Sequence, residues 1–329
     1  MMPLLFVINP KSGRLDLPAV TETIERIMKQ AGNAFAIRLP GKGVALQDVA
    51  QQAVRDACAQ NGAVVAVGGD GTMNAVAQFA VSSGCPFGLL PQGTFNYFSR
   101  THGLDLDVEA GVRAMLTARV VPVQVGIVNQ RVFLVNASVG LYPAVLRDRE
   151  VYKKQWGRYR AVAVLAAVMT ILRHDRLLRM RIATQDTQRE IRTPTLFICN
   201  NALQLERLGL PHVQALQQGQ MAAITLKPSG TLALFWLFLR SALGRLGSAD
   251  DVFTRTFSEM RVETRTARRI RVATDGEVTT MQSPLEFAVS PKPLMLLCPS
   301  GEHQQPDAAA EGVHDSHPTE PAGDEDLRQ

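Results

Sequence analysis

A chain of 329 residues that is 46% hydrophobic and only 6% aromatic can bury a sizeable core and has the length of two domains. Its formal charge of +5 is unevenly placed: from Glu302 onward eight acids face the single Arg328, which leaves 34 Lys and Arg against 22 Asp and Glu, about +12, in the body. A body that basic favours a polyanionic partner such as a nucleotide, a nucleic acid or an anionic membrane face. No apolar run approaches the roughly 20 residues that span a bilayer, and "MMPLLFVINP" lacks the basic region that opens a signal peptide. Cys58, Cys85, Cys199 and Cys298 form no CxxC pair, so they are expected as buried reduced thiols in a reducing compartment.

In chain order, "PLLFVINP" reads as a buried strand closed by Asn-Pro, and "LPAVTETIERIMKQAG" as a helix with a Gly stop. "AFAIRLP", "AVVAV" and "PFGLLPQG" follow as strands. "ALQDVAQQAVRDACAQNG", "TMNAVAQFAVSS" and "DVEAGVRAMLTA" follow as helices. Strands alternating with helices predict a parallel sheet with crossovers, and the pattern ends near residue 120. Beyond it the rhythm is of strands in series. "VPVQVGIVNQRVFLVNASVG" looks like two strands with an Asn-Gln turn, and "MRIATQDTQREIRTPTLFICNNA" like a hairpin. "MAAITLKPSG", "VFTRTFSEMRVETR", "RIRVATDGEVTT", "LEFAVSP" and "LMLLCPS" are further strand-like pieces. Such a series predicts an antiparallel sandwich. The expectation is therefore an α/β domain over residues 1–122, a β-sandwich domain with helical insertions over 123–300, and a disordered acidic tail over 301–329.

Two helical stretches interrupt the β part. "YRAVAVLAAVMTILRHDRLLRMR" brackets an apolar run with Arg158, Arg160, Arg173, Arg176, Arg179 and Arg181. "TLALFWLFLRSALGR" carries Phe235, Trp236 and Phe238 beside Arg240 and Arg245. Both are too short to span a membrane. They suit either core packing with solvated ends or an interfacial position on a membrane.

Chemistry concentrates in "VVAVGGDGTMNAVAQ". The strand would deliver Gly68, Gly69, Asp70, Gly71 and Thr72 to the carboxyl edge of a parallel sheet, where ligands bind. Glycines let backbone N–H groups converge on phosphate oxygens, and the following helix points its N-terminus at the same place. Asp70 would repel a phosphate unless a cation lies between them. Mg²⁺ held by a carboxylate and phosphate oxygens removes the conflict and makes Asp70 the candidate metal ligand. Two more loops share that edge: "NPKSG", with Lys11, Ser12 and Gly13, and "PQGTFN", with Gly93, Thr94 and Asn96. Neither GxxxxGK[ST] nor GxGxxG is present, so the nucleotide site is of another type. "ATDGEVTT" is either an Asp-Gly hairpin turn or a pair of carboxylates, Asp275 and Glu277, able to deprotonate a hydroxyl and hold a cation.

Together, NPxSG after the first strand, GGDGTxN after the third, GTxN after the fourth and a late DGE resemble the bacterial diacylglycerol kinase family. That family is related to sphingosine and ceramide kinases and more distantly to NAD kinases. The resemblance runs over roughly residues 4–299. It implies an ATP-binding α/β domain, a β-sandwich lipid-substrate domain and a site between them. ATP contacts are implied at Asn9, Pro10, Lys11, Ser12 and Gly13, phosphate cradling at Gly69, Asp70, Gly71, Thr72 and Asn74, and a further contact at Thr94. Glu277 is implied as the proton acceptor for the lipid hydroxyl with Asp275 beside it, although the motif leaves open which carboxylate takes the proton. ATP and Mg²⁺ are the cofactors expected. The partners expected are a lipid substrate, diacylglycerol-like or sphingoid, and an anionic membrane surface, with a homodimer allowed and nucleic acid not expected. A cytoplasmic enzyme peripherally bound to membrane follows. The chain departs from the family at Ala75, where a glutamate is usual, at "GTFNY", at "RLPGKG", which lacks a threonine, at Gln217 and Gln218 in "LQQGQM", where an acidic turn is usual, and in "LQLERLGLP". A soluble-substrate kinase of NAD-kinase type and a nucleotide-binding protein without catalysis are the rival readings.

Overall fold

The computed structural model describes residues 1–10, 12, 15–93, 96–104, 107–141, 143–144, 146, 177–185, 187–227, 251–265 and 268–300. Lys11, Gly13, Thr94, most of the first predicted apolar-basic helix, all of the second and the acidic tail lie outside these residues.

The chain opens as the alternating pattern requires. β1 (Leu4–Ile8), β2 (Phe35–Arg38), β3 (Ala63–Gly68) and β4 (Phe87–Pro91) pair in parallel in the order β2-β1-β3-β4. β1, β3 and β4 are apolar at nearly every position because both faces of the sheet are covered. α1 (Leu17–Gln30) and α5 (Val108–Leu116) lie on one face, where Val20, Ile24, Ile27, Met28, Val112 and Met115 meet Leu4, Phe6 and Ile8. α2 (Leu46–Ala59) and α3 (Asp70–Ser83) cover the other, with Ala53, Val54, Ala57, Val76 and Ala77 packed on Leu5 and Val7. The α1 and α5 starts are set by Asp16 and Asp107, whose carboxylates accept from Ala19 N at 3.2 Å and Ala110 N at 2.8 Å. A short α4 (Tyr97–Thr101) follows β4.

Eight further strands of the described residues make the sandwich's first pairings: β6 (Gly126–Val128), β7 (Arg131–Phe133), β8 (Asn136–Gly140), β9 (Leu178–Thr184), β10 (Gln188–Thr193), β11 (Thr195–Cys199), β12 (Met221–Leu226) and β13 (Val252–Phe257). β14 (Glu259–Thr264), β15 (Arg269–Thr274), β16 (Glu277–Gln282) and β17 (Leu285–Val289) complete it. The two antiparallel sheets run β10-β9-β14-β17-β6-β7 and β13-β12-β11-β8-β15-β16. Ala137, Val139, Leu196 and Ile198 of one sheet face Met180, Val262, Leu285 and Phe287 of the other. α6 (Ala202–Arg207) and α7 (Val213–Gln217) pack on the outside of the second sheet through Leu205, Leu210 and Ile224.

The structure differs from the sequence expectation in two places. "LMLLC" forms β18 (Leu294–Cys298), which joins the first sheet beside β4 and pairs antiparallel with β5 (Arg119–Val123) at its edge. Leu294, Leu296 and Leu297 are buried there, which a short apolar run permits in any sheet. Residues 178–181, at the end of the stretch read as helical, belong to β9. Met180 is buried in the sandwich core and Ile182 packs on it, while Arg179 faces outward, a period of two.

The first unit and the sandwich share a core and a polar seam. Val125, Val132, Leu134 and Val135 join the apolar cluster beneath α2 and α3. Gln124 Nε2 donates to Asn200 Oδ1 at 2.7 Å, and Asn201 Nδ2 to Thr101 Oγ1 at 2.9 Å. No helix among the described residues is long and apolar enough to cross a membrane. Cys85, Cys199 and Cys298 are buried free thiols and Cys58 is half-buried.

Candidate active site

Three loops meet at the carboxyl ends of β1, β3 and β4. Asn9 N donates to Val67 O at 3.2 Å and Gln92 N to Gly68 O at 2.8 Å, so the loops are pinned to the central strand. Thr72 Oγ1 accepts from Asn9 Nδ2 at 3.1 Å and lies 3.0 Å from Ser12 Oγ, which ties the first loop to the first turn of α3. Asn9, Ser12 and Thr72, 60 residues and more apart in sequence, thus form one polar cluster. Gly68 has to be glycine because a Cβ would stand 2.6 Å from Thr72 Oγ1 and 2.8 Å from Ser12 Oγ. Gly69 and Gly93 bring two backbones face to face, with a Cβ on Gly93 only 3.4 Å from the Gly69 Cα. The result is a cradle walled by backbone at the N-terminus of α3, the arrangement that suits phosphate.

Asp70 is the first residue of α3, half-buried in this cradle. Burial pushes its carboxyl up to about 6, and repulsion from Asp275 adds to the rise. A cation beside Asp70 would reverse both effects. One carboxylate among backbone amides fits Mg²⁺ shared with nucleotide phosphates, since that ion takes few protein ligands and keeps near-octahedral geometry with phosphate and water. It does not fit a cage of protein ligands: no cluster of three or more His, Cys, Asp or Glu able to hold a metal occurs among the described residues. Gln217 and Gln218 are exposed at the end of α7, and no acidic pair stands there.

The DGE sequence supplies the opposite wall. Asp275 and Gly276 both take positive φ, 48° and 87°, and turn β15 into β16 as a two-residue hairpin. The hairpin-turn reading is realised in the backbone, and the two carboxylates leave the turn in different directions. Asp275 points inward, where its Oδ2 accepts from Leu134 N and Asn74 Nδ2, each at 2.7 Å. Its Oδ1 accepts from Val135 N at 2.9 Å and Asn136 N at 3.0 Å. Burial pushes its carboxyl above the usual carboxylate pKa range, and these four donors oppose that rise. Asn74, grouped with the phosphate loop by sequence, is buried and turned toward the sandwich, donating to Val132 O at 2.9 Å as well as to Asp275. Ala75 beside it is buried in α3.

Glu277 leaves the turn on the other side and reaches the glycine loop. A Cβ on Gly71 would lie 2.5 Å from Glu277 Oε1. Its other oxygen, Oε2, accepts from Arg131 Nη2 at 2.9 Å. Arg131 was not singled out by the sequence reading. It lies 146 residues from its partner, at the start of β7 where an arginine is unremarkable, so no local signal could have found it. A separate cavity of about 600 Å³ opens between the two sheets of the sandwich, lined by Ile182, Ile191, Phe253 and Phe257 and rimmed by Arg189 and Arg255. It contains none of these loop residues.

Residues 3–128 match the diacylglycerol kinase catalytic domain. The match covers the first unit, which carries the three glycine loops. A relative from Cronobacter sakazakii named "Probable lipid kinase YegS-like" is 32% identical over 122 residues, which are 35% of this chain and 39% of that protein. Another protein of that name, from Chromohalobacter salexigens, is 31% identical over 138 residues, covering 41% of this chain and 42% of the relative. The chain thus aligns with about two fifths of each of these two relatives. The likeness in fold runs further. A diacylglycerol kinase structure from Bacillus anthracis superposes with a TM-score of 0.64 at 18% identity, covering 91% of this chain and 97% of that one. The α/β domain with its parallel sheet and the antiparallel β-rich region after it are the architecture of that neighbour.

Proposed function

We propose that this chain is an ATP- and Mg²⁺-dependent kinase that phosphorylates a lipid hydroxyl, diacylglycerol-like or sphingoid. The observation that carries the reading is the position of Glu277. A carboxylate from the second unit stands against Gly71 in the glycine loop of the first. When bound, ATP supplies the transferable γ-phosphoryl group and Mg²⁺ neutralises its charge. The chain's own residues do the rest. Backbone at Gly68, Gly69, Gly71 and Gly93, with Ser12 and Thr72 nearby, shapes the phosphate cradle, and Asp70 presents the carboxylate that would hold the cation.

The division between the two DGE carboxylates follows from their partners. Asp275 is occupied by four donors, so it locks the β15–β16 turn onto the Leu134–Asn136 backbone and fixes where Glu277 stands. Glu277 has one oxygen bonded to Arg131 and the other facing the loop, so it is the group placed to take a proton from an acceptor hydroxyl. Arg131 restricts the side chain to that direction. The basic body would hold the enzyme at an anionic membrane face. Transfer of labelled γ-phosphate from ATP to a panel of lipid hydroxyls and to NAD tests the proposal. Transfer to one or more lipids supports it, and transfer to NAD alone, or to nothing while ATP still binds, overturns it.

A further inference from the structure

The sandwich holds a cavity of about 600 Å³ that the site described above does not use. Its volume falls in the range of small-molecule sites, roughly 300–1,000 Å³. The cavity opens between β10 and β13, the edge strands of the two facing sheets. β7 and β16, joined by the Arg131–Glu277 ion pair, form the other edge of the sandwich. Five strand spacings of about 4.8 Å separate β13 from β16, so the cavity stands on the order of 20 Å from the DGE hairpin.

The inward-facing positions change character toward this edge. Ala223, Phe257 and Met260 are buried and make an apolar floor. Nearer solvent the same faces carry cations. Arg189 lies opposite Ile182 across β10 and β9, and Arg255 lies opposite Ala223 across β13 and β12, so both arginines share the inner face with apolar residues. Inner positions of a sandwich are ordinarily apolar, and two cations entering from opposed sheets repel each other. No Asp or Glu lines the cavity. Glu190, next to Arg189 in sequence, pairs with Arg181 and Arg265 instead. Arg255 Nη1 donates to the neutral Thr187 Oγ1 at 2.6 Å. Phe253, 55% exposed, stands at the mouth with Lys227 Nζ 5.4 Å from its ring centre.

We infer that this cavity is a second ligand site, one that takes a single-chain anionic amphiphile: the chain lies on the Ala223, Phe257 and Met260 floor, and a carboxylate or phosphate head lies between Arg189 and Arg255. An anionic head relieves the repulsion of the two guanidiniums and accepts charge-assisted hydrogen bonds from both. The chain removes the apolar floor and Phe253 from water. A neutral head leaves the cations uncompensated, and an anion without a chain leaves the floor wet. The occupant is not the acceptor of a phosphoryl group, because Glu277 and the glycine loop lie at the opposite edge of the sandwich. The site does not depend on which reaction the chain catalyses.

The test titrates the full chain calorimetrically at pH 7.5 with four probes: dodecanoate, dodecyl phosphate, dodecanol, and butanoate as the same head on a short chain. At least one of the two anionic long chains should bind about tenfold or more tighter than dodecanol, and butanoate should not bind measurably. The double variant Arg189→Gln with Arg255→Gln should lower the affinity for the anionic chains to that for dodecanol, with ATP affinity and the unfolding midpoint unchanged. Thr225→Phe, which fills the cavity from β12 above its buried floor, should remove the binding of every long chain. Dodecanol bound as tightly as the anionic chains would overturn the site. So would anionic chains bound equally by the arginine variant, or no long chain bound by the wild type. Each of these results leaves the kinase reading untouched, since none of the substituted residues belongs to the glycine loops or the DGE hairpin.

Discussion

Asp70→Asn separates what the first residue of α3 does for the fold from what it does for the site. In the folded chain burial, then repulsion from Asp275, raises the Asp70 carboxyl from 3.8 to about 6. The α3 N-terminus favours the negative charge by about 0.3–1 kcal/mol, which is too little to cancel the rise. A raised carboxyl means that the folded state holds a proton which the unfolded state has already released. Wild-type stability therefore falls as pH climbs through the window from about 4 to about 6, and the full cost is present above it. A shift of about two units corresponds to about 3 kcal/mol at most, less what water recovers at a half-buried position. Asparagine is neutral throughout and escapes this cost. Urea unfolding of both proteins without nucleotide or metal should show Asp70→Asn the more stable at pH 7.5, by about 1–3 kcal/mol. The gap should narrow as pH falls through this window and close below about pH 3, where the wild-type carboxyl is protonated in both states. Kinase turnover should be abolished in the same variant. A variant that is less stable than wild type at pH 7.5, or an offset independent of pH, would refute the reasoning about Asp70.

The two carboxylates of the DGE turn should respond in opposite ways. Asp275→Asn replaces an acceptor of four hydrogen bonds with a group that carries one oxygen, and should cost about 2–4 kcal/mol in denaturant unfolding as well as activity. A stability within about 0.5 kcal/mol of wild type would show that those bonds do not anchor the hairpin. Gly71→Ala sets a Cβ 2.5 Å from Glu277 Oε1, the mobile end of a half-exposed side chain. Thermal melting should therefore be nearly unchanged while kcat falls by about tenfold or more, and an unimpaired kcat would place Glu277 outside the chemistry. Arg131→Ala should lower kcat by about tenfold with ATP binding retained, and Arg131→Lys should recover part of the loss, since a lysine can still reach a carboxylate without the planar fork. Equal losses in both variants, tracking loss of fold in circular dichroism, would reduce Arg131 to a structural role.

Much of this was legible in the sequence, for identifiable reasons. β1, β3 and β4 are continuous apolar runs between helices with clear spacing, so their parallel order and the shared edge of the NPKSG, GGDGT and PQGTFN loops follow from topology alone. The turn at Asp275 and Gly276 carries the Asp-Gly signal of a type I′ hairpin. What was not legible depends on distant partners. "LMLLC" is apolar enough for either sheet, and only pairing with β5 places it in the first. Asp275 and Glu277 look alike in sequence, but one meets the backbone of Leu134–Asn136 and the other meets Gly71. Asn74 reads as part of a phosphate loop, yet the turn of α3 carries its amide to the sandwich side.

The central claim is that the second unit completes the site of the first through Glu277. The most direct measurement compares wild type with Glu277→Gln in two readouts on the same preparations: ATP affinity, and transfer of labelled γ-phosphate to the best lipid of the panel. Glutamine keeps the size of the side chain and its place beside Gly71 but cannot take the proton. The account predicts unchanged ATP affinity and unfolding midpoint with phosphoryl transfer reduced by about 100-fold or more. Transfer within a few-fold of wild type would contradict it.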